Sequence, residues 1–306
     1  MDNQGSLLLL DQMGRKKFIR TTIQLAGGAL LFSPVMAHAE MFKEKSMTVG
    51  EVMDLFISEI PNAPFDKTVD TLKSGNRDIV VTGIVTTMFA TIDVIRQAMA
   101  LKANFIIAHE PTFYNHADET AWLEKDEVFG YKMELLKKNN IAVWRNHDYV
   151  HSHRPDGVKH ALVQDLGWSK KYDANTDIVQ VEATSLKDLV AHLKTKLHIP
   201  TMRYIGELEQ PCKKILLMPG AAGGRRQIEL LIRTKPDVIV CGEIQEWETA
   251  EYVRDARAKG EQLSLVVLGH IASEEPGSRY MAEWLTKKIP AIKTKHIPAK
   301  HSLSFI

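Results

Sequence analysis

Asp78-Ile79-Val80-Val81-Thr82-Gly83-Ile84-Val85, then the spaced apolar set Ile92, Val94, Ile95, Ala98, Met99 and Leu101, then Asn104-Phe105-Ile106-Ile107-Ala108, form the stretch that decides the fold. The two flanking runs are continuously apolar at their centres, the pattern of strands covered on both faces. Between them the apolar residues recur at helical spacing. Strand, helix and strand in succession predict two parallel strands joined by a right-handed crossover. The second strand stops at His109-Glu110-Pro111.

Reading outward, Thr48-x-x-Glu51 is a capping-box pattern that opens a helix through Ile60, ended by Pro61 and Pro64. Lys73 to Arg77 reads as a polar turn. Downstream, Lys132 to Lys138 is a short helix and Ile141-Ala142-Val143-Trp144 a strand. That strand opens into Arg145-Asn146-His147-Asp148-Tyr149-Val150-His151-Ser152-His153, a loop with three histidines, and a helix follows from Gly157 to Leu166. A second set begins at Ile178-Val179-Gln180-Val181. Ser185 caps a helix through Leu197, and Lys214 to Met218 is a strand leading into Pro219-Gly220-Ala221-Ala222-Gly223-Gly224. A helix, the strand Asp237 to Cys241, an amphipathic helix from Trp247 to Ala258 and the strand Leu263 to Leu268 follow, the last delivering His270. A final helix over about Ser278 to Leu285 and a strand over about Ala291 to Ile297 close the chain. The expected class is α/β, with two pseudo-symmetric lobes built on mixed, mostly parallel sheets.

With 306 residues, the chain can bury a sizeable core. A formal net charge of +1 offers no basic field for nucleic acid, and the few aromatics do not interleave with a basic stripe. Residues 1–39 read as an export signal. Arg15-Lys16-Lys17-Phe18-Ile19-Arg20 is a basic cluster, Ile23 to Val35 is apolar but too short to span a bilayer comfortably, and Ala37-His38-Ala39 is a cleavage signature. The basic part resembles a twin-arginine signal whose second Arg is Lys; a general secretory signal is the alternative. No cysteine at the cleavage site suggests lipidation. The mature domain is therefore expected over residues 40–306, in the periplasm or otherwise exported, with no stable membrane association. Of the two cysteines, Cys241 ends an apolar run and is expected buried and free, and Cys212 lies after Pro211.

His109, His147 and His270 each follow an apolar strand directly, and Glu274 lies one tight turn beyond His270. In open α/β sheets, ligands collect at the carboxyl ends of strands. Imidazoles and carboxylates gathered there supply enough nitrogen and oxygen donors for two divalent cations. No G-x-S-x-G is present, and neither cysteine sits in a nucleophile elbow, so a serine or cysteine hydrolase is not expected. The Gly220–Gly224 stretch with Arg225-Arg226 could seat an anion at a helix N-terminus but lacks the Lys-Ser/Thr of a P-loop, and a plain turn is the simpler reading.

On four motifs the mature chain resembles the Nif-three-like dinuclear-metal-centre family, the type 2 GTP cyclohydrolase I homologues. These are Ile107-Ala108-His109-Glu110-Pro111, Trp144-Arg145-Asn146-His147-Asp148-Tyr149-Val150-His151, Cys241-Gly242-Glu243, and Gly269-His270-Ile271-Ala272-Ser273-Glu274. The resemblance implies metal ligands at His109, Glu110, His151, His270 and Glu274, with Glu274 bridging two ions of Zn, Mn, Fe or Ni. It also implies a toroidal homo-hexamer. Two positions depart from the family: its second early His is Glu110 here, and its later Asp is His151, as though a carboxylate and an imidazole had traded places across one ion. A family His falls near Trp247. The expected activity is metal-dependent hydrolysis of a small phosphoester or a cyclic amide or nucleotide-like substrate, with Glu243 or Asp148 as general base. A non-catalytic metal-binding or scaffold protein is the alternative.

Overall fold

The computed structural model describes residues 46–304 and 306; the predicted export signal lies outside them. The capping box at Thr48 forms as read. Its hydroxyl accepts from the backbone N–H of Glu51, and the Glu51 carboxylate accepts from that of Thr48, opening α1 (Val49–Ile57).

The strand expected over residues 78–85 divides. Val80 makes an antiparallel bridge to Thr48 and is half exposed. The chain then turns at Thr82, whose N–H and hydroxyl are bound by Asn104 and Lys102, and the parallel strand starts only at Ile84. The first sheet holds β1 (Leu72–Ser74), β2 (Ile84–Thr87), β3 (Phe105–Ala108), β4 (Ala142–Arg145) and a late strand at Thr294–His296. Helices α2 (Ile92–Ala100) and α3 (Glu127–Lys138) connect its parallel members. Its order runs β1, β4, β3, β2, then the late strand; β1 is antiparallel and the other four are parallel. Strand β1 takes the first two residues of the predicted polar turn, because Leu72 and Ser74 pair with Trp144 and Val143 across the sheet edge, and the chain turns after it from Gly75 to Asp78.

The chain continues through α4 (Asp148–Ser152) and α5 (Gly157–Asp165) into the second sheet. Its strands are β5 (Tyr172–Asp173), β6 (Ile178–Ser185), β7 (Arg203–Ile205), β8 (Pro211–Met218), β9 (Val238–Cys241) and β10 (Ser264–Val267), with Thr294–His296 becoming β11 of the whole. The order is β5-β6-β8-β9-β10-β7, with β8, β9 and β10 parallel and the other pairings antiparallel. Helices α6 (Leu186–Leu197), α7 (Gly224–Thr234) and α8 (Glu251–Ala258) cover it, α8 entered through a π-helical turn over Glu246–Ala250. The α/β class with two mixed sheets is therefore as expected from the sequence.

The continuous apolar runs are explained by two-sided burial. Along β3, Phe105 and Ile107 enter one core while Ile106 and Ala108 enter another. Along β8, Ile215 and Leu217 split from Leu216 and Met218 in the same way. Cys212 and Cys241 are buried free thiols. No helix among the described residues is long and apolar enough to cross a membrane.

The last helix, α9 (His270–Lys288), is the largest departure from the expected elements. It begins at His270, eight residues before the predicted start, and runs through Pro276. A proline there removes one backbone hydrogen bond and crowds the preceding turn, a cost of about 3 kcal/mol in an exposed helix. Burial of Ala272, Pro276, Gly277, Met281, Ala282, Trp284 and Leu285 offsets it. Val158 of α5 packs so close to Gly277 that a methyl group there would sit 2.7 Å from its side chain. Met281 and Leu285 join the core beneath the first sheet, while Ala272 joins one beneath the second. Helix α9 thus ties the two halves together and carries its first turn to the strand ends of both.

Candidate metal centre

The carboxyl ends of β3, β4, β8, β9 and β10 open toward one place. His109 and Glu110 leave β3, Asn146 and His147 leave β4, Gly220 follows β8, Glu243 follows β9, and His270 starts α9 just after β10. His147 stands at the N-cap of α4 and His151 one turn later, so both rings face the same side. The His109, His147 and His151 rings lie within 4.9 to 5.2 Å of one another. Two potential cation sets result: His109, His147 and His151, and His109, Glu110 and Glu274. His109 belongs to both. Glu110 falls in one of these sets and His151 in the other.

Distances across the centre are short. His270 Nε2 lies 2.9 Å from Glu274 Oε2 and 3.2 Å from Glu110 Oε1. Glu274 Oε2 is also 3.3 Å from His109 Nε2, and its other oxygen is 4.0 Å from His151 Nε2. His109 Nε2 is buried and forms no hydrogen bond with any described residue.

Every one of these imidazoles is anchored from behind. His109 Nδ1 meets the Asn146 carbonyl at 3.3 Å, His147 Nδ1 meets Asp148 at 2.9 Å, His151 Nδ1 meets Asp156 at 3.2 Å and His270 Nδ1 meets Glu243 at 2.9 Å. A carbonyl or carboxylate oxygen can only accept, so each Nδ1 carries the proton and each Nε2 is turned inward. An oxygen partner on the outer ring nitrogen is the usual support of a metal-binding imidazole, so the donor set fits divalent metal.

Asp148 and Glu243, expected as general bases, therefore stand behind histidines. Asp148 also accepts from the Thr68 hydroxyl and the Val69 N–H, so both its oxygens are engaged. Trp247, where a family histidine falls, is 74 % exposed and contributes nothing to the cluster. His153 stacks on Phe56 and faces Glu59, away from the centre.

Electrostatics follow from this packing. Burial opposes charge on His270, but hydrogen bonds to Glu110, Glu243 and Glu274 outweigh it and push its pKa up to about 12. Burial would raise Glu274, yet His109 and His270 hold it well below the ordinary carboxylate range. Burial together with neighbouring His109 and His151 drives His147 down to about 4, leaving it neutral and able to donate a lone pair.

Three supports have no local signature in the sequence. Arg145, wholly buried, reaches Glu110 Oε2 at 3.3 Å, approaches Asp118 at 3.6 Å and donates to the His116 carbonyl. Asp70 accepts from the N–H groups of His147 and Tyr149, each at 2.8 Å, and so caps α4 from 77 and 79 residues away. Gly220, at φ +67°, lies against Glu274, whose carboxylate oxygen would be 2.2 Å from any Cβ there. At the other end of the Gly220–Gly224 stretch, Gly224 lies against Glu248 in the same way.

A family model described as Duf34/NIF3 (NGG1p interacting factor 3) matches residues 47–302. A GTP cyclohydrolase 1 type 2 homolog of Clostridium acetobutylicum is 26% identical over 226 residues, covering 70% of this chain and 80% of that protein. Its counterpart in Clostridium perfringens is 26% identical over 216 residues, 67% of this chain and 78% of that one. Among solved structures, a Bacillus cereus protein related to NIF3 superposes with a TM-score of 0.69 at 17% identity, covering 86% of this chain and 99% of that chain. A Staphylococcus aureus hypothetical protein gives 0.68 at 18% identity, covering 86% of this chain and 100% of that one.

Proposed function

The chain belongs to the Duf34/NIF3 family, and from that premise we propose that it is a metal-dependent hydrolase of a small phosphoester or a cyclic amide or nucleotide-like substrate. In this reading His109, Glu110, His151, His270 and Glu274 hold two divalent ions of Zn, Mn, Fe or Ni, and His147 is a sixth donor. The observation that supports it is the set of four imidazoles with oxygen-anchored Nδ1 and inward Nε2, facing two buried carboxylates. Bound ions supply Lewis-acid polarisation of a phosphoryl or carbonyl oxygen.

The chain's own residues do the rest. Glu243, Asp148 and Asp156 orient the rings through their outer nitrogens, and Glu243 or Asp148 serves as general base. Arg145 holds one oxygen of Glu110, which leaves the other directed at His270. Gly220 and Ser273, whose hydroxyl accepts from the Gly220 N–H, keep the turn after β8 pressed on Glu274.

The test is metal analysis of the native protein with a panel of phosphoesters and cyclic amides, before and after chelation. Turnover that chelator abolishes and added metal restores is the expected result. Bound metal without turnover across the panel would instead make this a metal-binding protein. Absence of bound metal after loading would overturn the reading.

A further inference from the structure

Beside the metal centre lies a basin of about 1000 Å³, at the upper end of the range typical of small-molecule sites. Glu110, His147, His151, His270 and Glu274 are among the residues that line it. Arg154, Arg226, Tyr172 and residues of the Pro219–Ala222 turn also line it. The charges lining the rest of the basin are unevenly matched. Asp156 is taken by His151 and by the N–H groups of Val158 and Lys159. Asp177 is taken by Lys159 Nζ and the Tyr172 hydroxyl, each at 2.7 Å. Both carboxylates outside the metal centre are thus engaged.

The arginines are not. Eight of the eleven arginines among the described residues lie within ion-pair distance of a carboxylate; Arg154, Arg226 and Arg233 do not. Two of those three face this one basin. The neighbouring Arg225 is paired with Glu229 on the same helix, so Arg226 is not left over for want of acids nearby. Arg154 makes one bond, to the His153 carbonyl.

We propose that Arg154 and Arg226 form a subsite for a phosphate group, so that the substrate carries a phosphate at one end and its scissile bond, at the metal centre, at the other. Two guanidiniums match a phosphate, which offers three oxygens and up to two charges; a carboxylate is satisfied by one. That the bound group belongs to a molecule hydrolysed at the His/Glu centre rests on the hydrolase reading above. The anion subsite itself does not.

The test separates the two. Inorganic phosphate is titrated by calorimetry into the full chain, with Arg154→Gln/Arg226→Gln, Arg233→Gln and His109→Ala alongside, and metal content is measured for each. The double variant should bind phosphate at least tenfold more weakly while keeping wild-type metal content. Arg233→Gln should bind as wild type. Arginine-dependent phosphate binding in a protein that holds no metal would sink the hydrolase reading and leave the subsite standing. Undiminished phosphate binding in the double variant, or none in wild type, overturns the subsite. Succinate bound as tightly as phosphate, through the same two arginines, overturns its assignment to phosphate.

Discussion

At the residue scale, the carboxylates behind the histidines matter as much as the inward atoms. Glutamine at position 243 keeps an oxygen that can accept from His270 Nδ1, whereas alanine removes it. Glu243→Gln should therefore hold metal almost as wild type, and Glu243→Ala should lose roughly 10- to 100-fold in metal affinity. Equal loss in both would mean that the negative charge, not the acceptor, is what counts. Proton linkage gives a second expectation. His270, with a pKa pushed up to about 12 in the metal-free centre, must surrender a proton before its Nε2 can ligate. Its folded value is raised, so the proton is held from the ordinary 6.5 up toward that value, and metal must displace it throughout this window. Metal uptake should release about one proton from this residue, and apparent affinity should climb about tenfold per pH unit for each proton released. Calorimetry in buffers of different ionisation heat would read this directly; affinity that is flat between about pH 7 and pH 9 would contradict it.

At the element scale, α4 is too short to be stable alone, since nucleation outweighs the few hydrogen bonds that five residues can make. Its position is imposed by Asp70, which satisfies two N–H groups at its start. Asp70→Ala would strand those donors in a buried setting, a loss of about 1–3 kcal/mol. Because His147 and His151 ride on this helix, metal content should fall with it. Thr48→Ala is the matched control: it removes the cap of α1, remote from the centre, at about 1 kcal/mol. Thermal denaturation with metal analysis on both variants separates the two. Metal content untouched by Asp70→Ala would show that the helix holds without its distant cap.

At the scale of the whole molecule, the two sheets meet through α5 and α9, and the centre exists only where their strand ends converge. The proposed assembly is a homo-hexamer; light scattering of the purified protein should report six copies, and a clean monomer at micromolar concentration would refute it. Export is proposed from residues 1–39, outside the described structure. N-terminal sequencing of native protein should find a start near Glu40, and an intact Met1 in an otherwise exported fraction would remove the cleavage claim. Neutral residues in place of Arg15 and Lys16 should trap the protein inside if the twin-arginine route is used; unchanged export would point to the general secretory route.

The sequence by itself determined the α/β class, the capping of α1 and α6, the strands that deliver His109, His147 and His270, and the short reach from His270 to Glu274. All of these follow from apolar periodicity and local side-chain chemistry, which act over a few residues. Only the tertiary structure decided what depends on segments distant in the chain. Strand β1 exists because Trp144 lies across from it, and α9 passes through Pro276 because α5 packs over that turn. Asp70 and Arg145 support the centre from elements that no local pattern links to it. His147 joins the cluster because α4 is capped from outside, and Asp148 and Glu243 become anchors because the folded backbone sets them behind the rings rather than among the inward donors. A local motif can place a side chain at a strand end; which way its ring turns, and which charge stands behind it, is settled by burial and pairing across the whole fold.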